Sequence, residues 1–172
     1  VTAKGLKDGK KVSGKITIQC NENGKKATFT ATACNSVTGI TVENLSNITA
    51  ETDSTHLSIG TSATEKTIGT LTLTPSCAVA GQATTDDVKI YAMGSEDGFD
   101  VQKMTEGSVK ITKNASKEQK KVSASVGSDK KTLTVTSAKG ATAGVTSYFL
   151  IVYNTVKDGD KCGYQVISVT TK

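Results

Sequence analysis

Ile16-Thr17-Ile18-Gln19-Cys20, then Asn21-Glu22-Asn23-Gly24, then Lys26-Ala27-Thr28-Phe29-Thr30-Ala31-Thr32-Ala33 reads as one β-hairpin. Asn-Gly is a preferred two-residue loop because both central positions need positive φ. The flanking residues alternate with period two. Ile16, Ile18 and Cys20 fall on one face with Ala27, Phe29, Ala31 and Ala33, and Thr17, Gln19, Thr28, Thr30 and Thr32 fall on the other. One face is apolar and the other hydroxyl-rich, the pattern of an antiparallel sheet with one solvated side.

The same pattern continues along the chain. Further strands are expected at 37–43, 56–60, 67–74, 87–93, 108–113, 121–126, 131–137, 147–154 and 164–170, separated by clusters of Gly, Asn, Asp and Ser. No segment has a convincing amphipathic helical period. Even spacing of short strands indicates a sandwich or barrel rather than alternating βα units. The strongest apolar run is Tyr148-Phe149-Leu150-Ile151-Val152-Tyr153. Phe149, Ile151 and Tyr153 share one face and Leu150 and Val152 the other, so this reads as a central strand covered on both sides.

Composition limits the core. The 172 residues include no Trp, three Phe and four Tyr, so Val, Ile, Leu and Ala must fill the interior. Small β-branched residues and abundant Thr suit a thin two-sheet sandwich better than an enzyme with a deep pocket. All 21 basic residues are Lys, and the net charge is +5. Without the guanidinium fork or aromatic platforms, specific nucleic-acid recognition is not expected. A polyanionic cell-wall polymer or glycan would be held by charge alone. No run reaches the ~20 apolar residues of a membrane helix. A chain beginning at Val1 is expected to be a processed or excised one. The triplets at Asn44, Asn47 and Asn114 match glycosylation acceptors, as expected by chance in so Ser- and Thr-rich a chain.

Pro75 ends the run Leu71-Thr72-Leu73-Thr74, and residues 76–85 read as a linker. This predicts two sandwich domains in tandem, 1–76 and 77–172. Lys10-Lys11-Val12-Ser13 recurs as Lys120-Lys121-Val122-Ser123, and Thr28-Phe29-Thr30-Ala31-Thr32 recurs in type as Thr132-Leu133-Thr134-Val135-Thr136. As a duplication, the repeat leaves the first domain short of its leading strands, with an open edge available for polymerisation.

Leu73-Thr74-Pro75-Ser76 and Gly140-Ala141-Thr142-Ala143-Gly144-Val145-Thr146, with an apolar strand after the latter, resemble the bacterial Ig-like domains of group 2 over residues 71–172. Those domains open on an L-x-P turn and close on a Gly-Thr-Ala-rich turn feeding the last strands. Where that family usually has a Trp-containing strand and a Ser-Ser-Asp turn, this sequence has Gly94-Ser95-Glu96-Asp97-Gly98. The resemblance implies a rigid Ig-like β-sandwich in a bacterial surface protein or virion, and no activity.

Four cysteines, at 20, 34, 77 and 162, allow three pairings and indicate an oxidising compartment. The Ig-like resemblance brings the first and last strands together, and with them Cys77 and Cys162, leaving Cys20 for Cys34. The hairpin opposes that second pair. With Cys20 opposite Ala27, Cys34 lies about 23 Å away, against the roughly 7 Å a disulfide tolerates.

Chemistry-bearing residues are few. His56 is the only histidine, and no nucleophile elbow accompanies it, so a surface imidazole is expected. Asp158-Gly159-Asp160 and Glu96-Asp97-Gly98-Phe99-Asp100 offer partial calcium sets through Asp158, Asp160, Asp97 and Asp100, but the EF-hand pattern is missing. Turn chemistry explains the same residues. The sequence therefore predicts an extracellular, non-enzymatic structural or adhesive module of a cell surface, filament or virion. It would partner other proteins, itself included, by strand or end-to-end contacts. The alternative is a small glycan-binding domain, with or without calcium.

Overall fold

The computed structural model describes residues 10–20, 22–35, 37–77, 88–100, 109–153 and 163–172. The strands are β1 (Lys10–Gln19), β2 (Lys26–Asn35), β3 (Val37–Ser46), β4 (Ile48–Ala50), β5 (His56–Ile59), β6 (Thr67–Cys77), β7 (Val88–Met93), β8 (Val122–Val126), β9 (Thr132–Ser137), β10 (Thr146–Tyr153) and β11 (Gly163–Thr171). The protein is nearly all β, as the alternation predicts, with one turn of 3-10 helix at Gln119–Lys121 among the described residues. β1 and β2 form a two-stranded sheet of their own. A four-stranded sheet runs β3-β6-β9-β8, and a five-stranded sheet runs β4-β5-β11-β10-β7. Neighbouring strands are antiparallel except β5 and β11, which run parallel.

The two larger sheets pack through one core. Leu71, Leu73, Leu133 and Val135 meet Leu57, Ile59, Phe149, Ile151, Ile167 and Val169, all buried. Each such side chain contributes roughly 1.5–3 kcal/mol by leaving water. A second cluster lies on the outer face of the five-stranded sheet, where Met93, Leu150 and Val152 are covered by Phe99, Val109 and Ile111. Consecutive apolar residues along β10 thus have two environments to fill, as the sequence indicates. Of the strand expected at 108–113, the described part makes a bridge between Ile111 and Phe99.

The hairpin forms with Ile16 opposite Phe29 and Ile18 opposite Ala27. Its turn closes between Cys20 and Lys25, through Cys20 N–H to the Lys25 carbonyl and Gly24 N–H to the Cys20 carbonyl. The expected two-residue loop is therefore too short. The register differs from expectation by two, an even number, so each described side chain keeps its expected face.

The division into 1–76 and 77–172 is corrected by the pairing. β6 pairs with β9, and β5 with β11, so strands from both sides of that boundary share both larger sheets. Pro75 lies inside β6, opposite Ile40. β9 pairs with β6 only from Thr67 to Thr72, so at residue 75 the ladder has one neighbour and tolerates a missing N–H. Residues 78–85 of the expected linker lie outside the described residues.

One bend moves the chain between sheets. Asn47 adopts φ +56, a left-handed conformation that Asn tolerates, and its Nδ2 donates to the Ile68 carbonyl at 3.1 Å. β3 thereby ends in one sheet and β4 begins in the other. Ile48 then packs over Gly69, where an added Cβ would lie 2.3 Å from Ile48 Cγ1.

Candidate functional site

Met93, Tyr148, Ser168 and His56 stand in a row across the outer face of the five-stranded sheet, each the register partner of the next. Thr146, Thr170 and Ser58 form the adjoining row. Near β5 these rows floor an open cleft of about 320 Å³, with Glu51, Thr52 and Glu96 around it. A second cleft, of about 250 Å³, opens between β7 and β8 over Phe149.

His56 is the first residue of β5, and a tight turn holds its ring. Asp53 Oδ1 accepts from the backbone N–H groups of Thr55 and His56, from Thr55 Oγ1, and from His56 Nδ1 at 2.9 Å. The Thr55 hydroxyl, then the His56 ring and the Thr55 amide, hold the Asp53 carboxyl well below the usual carboxylate range. A carboxylate against Nδ1 assigns the proton of the neutral ring to that nitrogen, which leaves Nε2 as acceptor. Glu51 is lowered as well, first by the hydrogen bond from Lys172 and then by that from Ser58 Oγ. The Lys172 Nζ lies 2.6 Å from Glu51 Oε1. The hydroxyl recorded at the imidazole is that of Thr55, with Oγ1 3.3 Å from His56 Nδ1 while it also donates to Asp53 Oδ1.

The other residues singled out in the sequence lie elsewhere. Asp97 accepts from Ser95 Oγ at 2.7 Å and from Lys113 Nζ at 3.0 and 3.3 Å, and these two partners lower its pKa in that order. The Asp100 N–H donates to the Lys110 carbonyl. Asp158, Asp160 and Cys162 lie outside the described residues. Among the described residues no group of three or more His, Cys, Asp or Glu is placed to hold a metal ion.

Cys20 is free and exposed. Cys34 lies opposite Lys11, at the far end of the hairpin. Nine residues of strand separate Lys11 from Cys20, about 30 Å, so the register keeps Cys20 from Cys34. Cys77 ends β6 opposite Val37, and its expected partner is Cys162.

The hairpin supplies a different kind of surface. Every described side chain from Thr17 to Thr30 is exposed, and Ile18 and Phe29 retain 59% and 48% of their accessible surface. Sequence reasoning identified this face and His56. It missed Glu51, Tyr148 and Ser168 as neighbours of His56, because no local pattern joins residues from β5, β10 and β11. No protein-family model matches the chain, and no curated protein matches it.

Proposed function

We propose that the chain is a non-enzymatic structural and adhesive module of an extracellular surface protein, filament or virion, built as an Ig-like sandwich and working through its interfaces. The observation that carries this reading is the apolar face of β1–β2, where Ile18 and Phe29 are exposed on a two-stranded sheet. Such a hairpin is marginal in water unless its face is covered. A second copy offers the same face, so an isologous pairing matches apolar to apolar.

Strand order supports the Ig-like part. The order β3-β6-β9-β8 facing β11-β10-β7 follows the A-B-E-D and G-F-C sequence of immunoglobulin-type sandwiches. The repeat lends support too, since both copies are hairpins. Val122, Leu133 and Val135 of β8–β9 are buried against the opposing sheet, whereas Ile18 and Phe29 of β1–β2 are exposed.

Size-exclusion chromatography with light scattering, followed by negative-stain microscopy, tests the reading. Concentration-dependent dimers or fibres are expected, and Phe29→Lys should return them to a folded monomer whose melting temperature no longer depends on concentration. A monomer at every concentration up to crystallisation strength overturns it. The second reading, a small glycan-binding domain, is favoured by the polar cleft at His56.

A further inference from the structure

We infer that the cleft at His56 binds one ring of a neutral saccharide, held by hydrogen bonds to Ser168, His56 and Glu96 against the ring of Tyr148; this rests on the glycan-binding reading. Ser168 is only 8% exposed and lines the cleft. A hydroxyl placed at the floor of a cleft can both donate to and accept from a ligand hydroxyl. His56 Nε2 is the ring nitrogen left open to a ligand, because Nδ1 faces Asp53. Glu96 is exposed beside the cleft and supplies a carboxylate, the strongest acceptor for a sugar hydroxyl. The half-buried Tyr148 presents an apolar ring with a polar tip.

Charge selects among ligands. Glu51, Asp53 and Glu96 disfavour an anion. Lys172 already answers Glu51, and Asp53 Oδ1 already accepts from Thr55 and His56, so Glu96 is the carboxylate left open to a ligand hydroxyl. A volume of about 320 Å³ lies at the lower end of small-molecule sites, enough for a single ring.

The test is an amide chemical-shift titration of the whole chain with glucose, galactose, mannose, N-acetylglucosamine and N-acetylgalactosamine, with putrescine and glucuronate as charged comparisons. At least one neutral sugar should shift the amides of His56, Tyr148 and Ser168. Glu96→Gln should weaken that sugar about tenfold, the effect of one charge-assisted hydrogen bond, with an unchanged melting temperature. Ser168→Ala should weaken it too, and its melting temperature reports whether the fold survives. Sugar-induced shifts confined to other residues overturn this site but leave the glycan-binding reading. No sugar-induced shift anywhere overturns both. A response to putrescine or glucuronate alone also overturns the proposal.

Discussion

Asp129 shows how one side chain fixes a turn. It follows β8, and its carboxylate accepts from the Thr132 hydroxyl and from the amides of Thr132 and Lys131. The Thr132 hydroxyl leads these in holding the carboxyl down to about 2. The folded pKa lies below the unfolded value of about 3.9, so the stabilisation is complete above that value and is lost as pH falls towards about 2. Thermal melts should therefore separate the wild type from Asp129→Asn at about pH 5, with the gap closing by about pH 2. Ser137 is the opposite case: its buried hydroxyl makes no hydrogen bond in the structure. Ser137→Ala should raise stability by up to about 1 kcal/mol, or about 3 °C in melting temperature. Gly69 has no such freedom, because Ile48 occupies the space a side chain would need. Gly69→Ala should cost roughly 1–3 kcal/mol in urea unfolding, and the same substitution should cost less when made in an Ile48→Ala background.

Strands were legible where their pattern is local. The alternation in β1, β2 and β9 fixes their faces, and the run in β10 announces a strand covered twice. Leu150→Ala should accordingly cost about 2–5 kcal/mol, although Leu150 lies on the outer face of its sheet. A urea midpoint equal to the wild type's would contradict that cover. β4 was not legible, since three residues after a left-handed Asn carry no period. The polar ties were hidden for the same reason. Gln119 donates to the carbonyls of Gly94 and Thr146 and accepts from the Ser116 amide, joining the helical turn to segments 25 and 27 positions away. The His56 cleft has the same origin, with its residues brought together only by sheet register. Pro75 misled because a proline often ends a strand, and here it sits where β6 has a single ladder partner.

Across the whole molecule, the all-β class was readable from composition and punctuation, but the partition of the chain was not. Which strand joins which sheet depends on contacts such as β5 with β11, more than 100 residues apart. No spacing rule reports those. The exposed hairpin gives a prediction at the same level: native Cys20 should react with a thiol reagent at once, without denaturant. Slow labelling of Cys20 in a dimer and fast labelling in the Phe29→Lys monomer would place the shared interface near the hairpin turn.

The parallel pair β5–β11 has a mechanical meaning. Ser46 leads through Asn47 to Ile48, which pairs with Ile59, and Ile59 pairs with Thr171. β3 therefore enters at Val37 at the opposite end of the sandwich from the place where β11 leaves. Tension applied at those two points runs along the strand axes. It pulls β3 along β6 and β11 along β5 and β10, loading the hydrogen bonds of each ladder together rather than opening them one by one. A sandwich threaded in this way resists stretching between neighbours far better than peeling from its side.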